Sequence, residues 1–169
     1  MSIYPHVVEI AWDVVNQFLK DWQNEPYRWH REINAHMEIF SRLSTVLRYC
    51  GRDSLFGKYN EVIVGYEDRQ LWSRVIPEPT ISYEYTDKNK HICYPDIVVL
   101  DDIPDPGHPP DAEEGQWPIL WVCEVKYTDN NKDDWDLEKL RYIISQGIAQ
   151  YGCWIRMLCK RATSGSGIE

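Results

Sequence analysis

Asp96, Glu124 and Lys126 are the residues of this chain best placed to do chemistry. Asp96 sits in the run Tyr94-Pro95-Asp96-Ile97-Val98-Val99-Leu100. Glu124 and Lys126 sit in Ile119-Leu120-Trp121-Val122-Cys123-Glu124-Val125-Lys126-Tyr127. Both runs are short, apolar and β-branched, with turn residues at their ends, which is the pattern of strands in a covered sheet. A charge in such a strand is costly unless it is paired or bound to a metal. Side chains alternate along a strand, so Glu124 and Lys126 share one face and Val125 takes the other. If the two strands are neighbours, one face carries two carboxylates and an ammonium. That set can hold a divalent cation and activate a water beside a phosphate. The competing reading makes Asp96 a solvated strand residue and Glu124 and Lys126 a surface ion pair.

Periodicity predicts the elements that must position these residues. Val8, Ala11, Trp12, Val15, Phe18, Leu19 and Trp22 repeat at helical spacing and predict an amphipathic helix over about 7–22. A second helix is predicted over about 29–49, with Ile33, Met37, Phe40, Leu43 and Leu47 as its apolar stripe and Cys50-Gly51 as its stop. Val62-Ile63-Val64 and Arg74-Val75-Ile76 read as short strands. Residues 80–86 alternate, Asp87-Lys88-Asn89-Lys90 reads as a turn, and 92–100 returns as the Asp96 strand of a hairpin. Residues 101–117, rich in Pro, Gly and acid, read as a surface loop inserted between the two site strands. That insertion accounts for the 28 positions between Asp96 and Glu124, because lengthening a surface loop costs little free energy. Asp133 or Asp134 can cap a third helix running to about Tyr151, with Gly152 at its end. A last strand over 153–159 and a flexible tail over 162–169 follow. The expectation is a single α/β domain over 1–161, a central mixed β-sheet flanked by helices.

Pro95-Asp96 followed by Glu124-Val125-Lys126, within this order of elements, resembles the PD-(D/E)XK nuclease superfamily and its restriction-endonuclease-like fold. The resemblance covers roughly Arg28 to Cys159. It implies a nuclease, with internal or end attack left open between endonuclease and exonuclease, that uses Mg²⁺ or Mn²⁺ to hydrolyse phosphodiester bonds, foremost in DNA. Asp96, Glu124 and the Val125 carbonyl would bind the metal. Lys126 would orient or deprotonate the attacking water and stabilise charge on the transition state. The superfamily often adds a metal-associated Glu from the helix before the sheet, and a Gln or Lys from the helix after it. Glu32 is the candidate for the first, because helical phase sets it at the edge of the apolar stripe, whereas Glu38 falls on the solvated side. The plainer reading of Glu32 is a first-turn acid that complements the helix dipole. Among Lys139, Gln146 and Gln150, Gln146 is the choice for the second role, against a surface Gln with none. His30, Arg31 and His36 flank the second helix and read as surface residues, while Tyr142 is either core or substrate-facing. Trp117, Trp121 and Trp154 read as structural, and Trp72 and Trp135 as contacts for a partner.

Composition narrows the remaining choices. A chain of 169 residues with 43% hydrophobic content is long and apolar enough for one domain with a real core. It contains no apolar run of membrane-spanning length and no secretory leader, so a cytoplasmic protein is expected. Five cysteines without a C-x-x-C pair point to reduced, mostly buried thiols, with a zinc site from Cys153, Cys159 and a distant His as the weaker alternative. The net charge of −9 argues mildly against nucleic acid as partner. Six of the acids, Asp101, Asp102, Asp105, Asp111, Glu113 and Glu114, crowd into the one loop, so the rest of the surface can still carry a basic patch. The sequence leaves room for a homodimer or a partner protein. The rival function is a non-catalytic interaction module, or a partner-dependent nuclease subunit, that retains the fold.

Overall fold

The computed structural model describes residues 4–29, 31–57, 70–77, 81–84, 90–101, 119–127 and 135–158. In chain order these form α1 (Tyr4–Asn24), α2 (Glu32–Tyr49), β1 (Ser54–Gly57), β2 (Gln70–Ser73), β3 (Val75–Pro77), β4 (Ile81–Glu84), β5 (Lys90–Cys93), β6 (Ile97–Leu100), β7 (Ile119–Tyr127), α3 (Trp135–Ser145) and β8 (Ala149–Met157). A mixed four-stranded sheet in the order β3-β6-β7-β8 is the centre of this α/β fold. β3 and β6 pair antiparallel, as do β6 and β7, and β8 runs parallel to β7. That last step needs a crossover, which α3 supplies. β1–β2 and β4–β5 form two further antiparallel pairs.

Both faces of the sheet are covered, which is why β6 is buried at all four positions. On one face Trp121, Cys123 and Val125 pack with Phe18 of α1 and with Ile39, Leu43 and Leu47 of α2. Trp12 meets Trp121 edge-on at 6.2 Å between ring centroids, an arrangement favoured by the ring quadrupoles. On the other face Leu140 and Ile143 of α3 pack against Val98, Leu100 and Val122. Trp121, Trp154 and Tyr142 all belong to this packing.

Four expectations change at the level of elements. The predicted 92–100 strand is two strands: β5 pairs with β4, the chain bends through Tyr94, Pro95 and Asp96, and β6 joins the main sheet. Proline restrains the residue before it and lacks a ladder donor, so a single continuous strand is disfavoured there. The third helix ends at Ser145, not Tyr151. Gly147, at φ 69°, adopts the left-handed conformation after it, with Ile148 N–H donating to Ile143 O and Gly147 N–H to Ile144 O. Gly152 lies inside β8, which begins at Ala149 and ends at Met157. A Cβ there would come within 2.5 Å of Ile144 Cδ1, so glycine is what lets α3 lie close on the sheet. Finally, the buried face of α2 is Ala35, His36, Ile39, Leu43 and Leu47, while Ile33 and Met37 are exposed. The apolar stripe is rotated from its predicted phase, although Leu43 and Leu47 belong to both. α2 does stop at Cys50-Gly51 as expected.

The expected strand at Val62–Val64, the acidic loop beyond Asp101, the caps at Asp133 and Asp134, His30, Cys159 and the 162–169 tail lie outside the described residues, as do the side chains of Trp72 and Cys93. No helix among the described residues is long and apolar enough to cross a membrane.

Candidate active site

β7 outruns its neighbour. Ile97, the first residue of β6, pairs with Cys123, so the last four residues of β7 extend past the start of β6. This explains how an apolar strand carries charge: β7 is buried through Cys123, then Glu124, Lys126 and Tyr127 are half-buried. Continuing the register by one step would set Asp96 opposite Glu124. The bend before β6 turns the Asp96 side chain toward the exposed edge of β7. There Asp96 Oδ2 accepts the Val125 N–H at 2.6 Å. One step further on the same edge, Glu32 Oε2 accepts the Tyr127 N–H at 3.1 Å. Two carboxylates thus satisfy two strand donors that β6 leaves unpaired.

Lys126 Nζ lies 3.7 Å from Glu32 Oε1 and 3.1 Å from Asp136 Oδ2. Asp136 Oδ1 is also 2.7 Å from Lys139 Nζ. Beneath Asp96, the buried His36 places Nδ1 at 3.7 Å from Asp96 Oδ1. That is an electrostatic contact, too long for a hydrogen bond. The β7–β8 register sets Arg156 beside Lys126. Four carboxylates therefore converge on one strand end together with the side chains of Lys126, Lys139 and His36.

This balance perturbs the acids. Burial, followed by the negative charges of Asp96 and Asp136, pushes the Glu124 carboxyl up to about 8. Burial also raises Asp96, against the opposing effects of the Val125 N–H and His36. Burial alone would lower Lys126, but the hydrogen bond to Asp136 and the surrounding carboxylates outweigh it and raise its pKa. Asp136 is lowered despite burial, because it bonds both lysines. Carboxylates crowded with too little opposing charge hold one another's protons more tightly, and groups perturbed in this way cluster at functional sites.

No family model, curated protein or solved structure matches this chain. Among the described residues, no three His, Cys, Asp or Glu side chains are arranged to hold a metal ion. Magnesium asks for less: one or two carboxylates, with water filling the rest of its octahedron. Asp96 commits only Oδ2 to the strand. Glu124 makes no hydrogen bond or ion pair among the described residues. Their hard oxygens suit Mg²⁺ or Mn²⁺.

The structure brings Asp96, Glu124, Lys126 and Glu32 together. It does not bring Gln146 to them. Gln146 is exposed in the turn after α3, ten residues beyond Asp136 and so about 15 Å along the helix direction from the end that meets Lys126. Gln150 lies on β8, not on the helix, and donates to Asp101 Oδ2 at 2.6 Å. Glu38 faces away from the site, bonded to Arg42. Arg31 is exposed and Trp135 is 60% exposed.

Sequence reasoning missed two members. His36, expected at the surface, is 2% exposed. Its signal was the spacing Glu32, His36, Ile39, Leu43, which is one helical face. Asp136 carries the same kind of signal, because Asp136, Leu140 and Ile143 repeat at i, i+4 and i+7.

Proposed function

We propose that this protein is a metal-dependent nuclease of the PD-(D/E)XK type, with the corresponding restriction-endonuclease-like fold, hydrolysing phosphodiester bonds in DNA. The observation that carries this reading is the placement of Asp96 against the Val125 N–H, which ties the Pro-Asp bend to the Glu-x-Lys strand. The order of elements supports it: a helix bearing Glu32, three antiparallel strands, a crossover helix and a parallel fourth strand.

Asp96, Glu124 and the Val125 carbonyl would hold Mg²⁺, with Glu32 beside them for a second ion or its water. The ion, when bound, supplies charge neutralisation at the phosphate and acidifies a water. The protein's own part is positional. Lys126, held by Asp136 and Glu32, directs its ammonium to where negative charge grows on the phosphate oxygens. Tyr94 and Trp135, both largely exposed, flank the carboxylates within two residues of Asp96 and Asp136 and offer faces to a base or sugar.

The test is cleavage of plasmid and oligonucleotide DNA in Mg²⁺ or Mn²⁺, stopped by chelator and cut to a small residual rate by Asp96→Ala or Lys126→Ala in folded protein. Cleavage by both variants at the wild-type rate would sink the reading. A second reading, a non-catalytic interaction module, is favoured by one observation: Asp96 and Glu32 already serve as caps for strand donors. It predicts no cleavage and no metal effect on stability.

A further inference from the structure

Asp136 is the leading residue of the buried face of α3. Leu140 and Ile143, four and seven positions on, lock that face against Val122 of β7. The carboxylate is thereby delivered to the end of β7, where it is 16% exposed. Each oxygen takes a different ammonium: Oδ2 takes Lys126 at 3.1 Å and Oδ1 takes Lys139 at 2.7 Å. An ordinary i,i+3 helix pair with Lys139 would account for the second contact only, and such pairs stabilise by only a few tenths of a kcal/mol. It leaves unexplained why a lysine from another element is drawn in. Lysine is a point charge on a flexible four-carbon stem, so its ammonium has no fixed place without an anchor. Glu124, two residues away on the same face of β7, is an obvious competitor for that ammonium. Asp136 and Glu32 hold it instead.

We infer that Asp136 is a positioning residue of the active site: it holds the Lys126 ammonium beside the Asp96 and Glu124 carboxylates, while Lys139 braces Asp136 from one turn along α3. This rests on the nuclease reading for its catalytic meaning, and on the geometry alone for the placement of Lys126. Asp136 binds neither metal nor phosphate in this account. Removing it therefore slows the reaction without weakening either interaction.

The experiment is single-turnover cleavage at saturating Mg²⁺ by the full-length wild type, Asp136→Asn, Asp136→Glu, Lys126→Ala and the Lys126→Ala/Asp136→Asn double variant. Asp136→Asn should cut about 10- to 100-fold more slowly, as expected when a catalytic group is displaced by about 1 Å. Its KM for DNA and its Mn²⁺-induced rise in melting temperature should match the wild type. Asp136→Glu should recover most of the rate. The double variant should be no slower than Lys126→Ala, because the two residues act as one unit. Wild-type cleavage by Asp136→Asn, or an undiminished further loss in the double variant, would overturn the inference. If the wild type cuts nothing, the nuclease reading fails, and nitrogen-15 spectroscopy of the lysine ammonium groups decides the placement. The Lys126 signal, assigned by its absence in Lys126→Ala, should be sharp in the wild type and lost to hydrogen exchange in Asp136→Asn. Identical signals in both proteins would refute it.

Discussion

Between α1 and α2, the Arg42 guanidinium bonds Asp21 at 2.6 Å and Glu38 at 2.8 Å and lies over the rings of Phe18 and Trp29. At the end of β7, the Lys126 ammonium meets Asp136 and Glu32, with Asp96 and Glu124 close behind. Both are partly buried cations among acids. In the first cluster every charge has its partner. The Arg42 hydrogen bond holds Asp21 below the usual carboxylate range, and Arg42 is raised because its two acids outweigh burial. In the second, Asp96 and Glu124 are pushed the other way. A planar fork that satisfies two carboxylates is a device for joining helices. An excess of partly desolvated carboxylate works against stability, and such arrangements persist where function requires them.

The contrast breaks most sharply on substitution at its two centres. Glu124→Ala should abolish cleavage, by at least about a hundredfold, while leaving the melting temperature in chelator equal to or above that of the wild type. Arg42→Ala should do the reverse. It leaves Asp21 and Glu38 facing each other and uncovers Phe18 and Trp29, so about 1–3 kcal/mol of stability should be lost with cleavage per folded molecule unchanged. Matching effects at the two sites would erase the distinction.

The two glutamates of α2 sharpen it. Glu32→Gln should slow cleavage about tenfold or more, roughly 1.4 kcal/mol of barrier. Glu38→Gln should leave the rate alone and loosen only the Arg42 contact. A rate loss at Glu38 equal to that at Glu32 would mean that α2 does not present its leading carboxylate to the chemistry.

Metal should act on one cluster alone. A bound ion stabilises by about 2.7 kcal/mol at a hundredfold excess over its Kd, so the wild-type melting temperature should climb with Mn²⁺. Asp96→Asn should stay nearly flat, and Arg42→Ala should climb in parallel with the wild type from a lower start. A flat wild-type response would favour the interaction-module reading.

The last contrast is one of pH. In chelator, folded Glu124 keeps its proton to about 8, whereas a glutamate carboxyl in the unfolded chain releases it near 4.5. Between those values the folded chain binds more protons than the unfolded one, so this group's contribution falls as pH rises through that window. The limiting slope is about 1.4 kcal/mol per pH unit. The melting temperature of Glu124→Gln should therefore exceed that of the wild type by more at pH 8 than at pH 5. The same comparison for Glu38→Gln should give a constant gap. A constant gap for Glu124→Gln as well would remove the proposed strain.

Patterns that depend on a few neighbouring residues were legible in advance. The helices near 7–22 and 29–49, the stop at Cys50-Gly51 and the charged end of the Glu-x-Lys strand all follow from apolar spacing and turn chemistry. The break at Pro95-Asp96 was signalled by the proline but masked by the apolar run after it. The end of α3 was misplaced because two glycines competed, Gly147 and Gly152. Only the packing of Leu140 and Ile144 on β8 separates the cap from the close approach.

What the sequence determined by itself is the identity of Asp96, Glu124 and Lys126 and the alternation that sets Glu124 and Lys126 on one face, because period 2 is built into any strand. It also placed Glu32 at the edge of the apolar stripe of its helix, although the structure rotates that stripe. Only the tertiary structure decided that His36 lies beneath Asp96, that Asp136 completes the cluster and that Gln146 stays outside it. Helical periodicity describes a cylinder without saying which side will be covered. That choice was made by the sheet and α1 closing over Ala35, Ile39 and Leu43, and by α3 running antiparallel to β7. In α3 this sends the leading carboxylate to the site and the trailing glutamine to the opposite end.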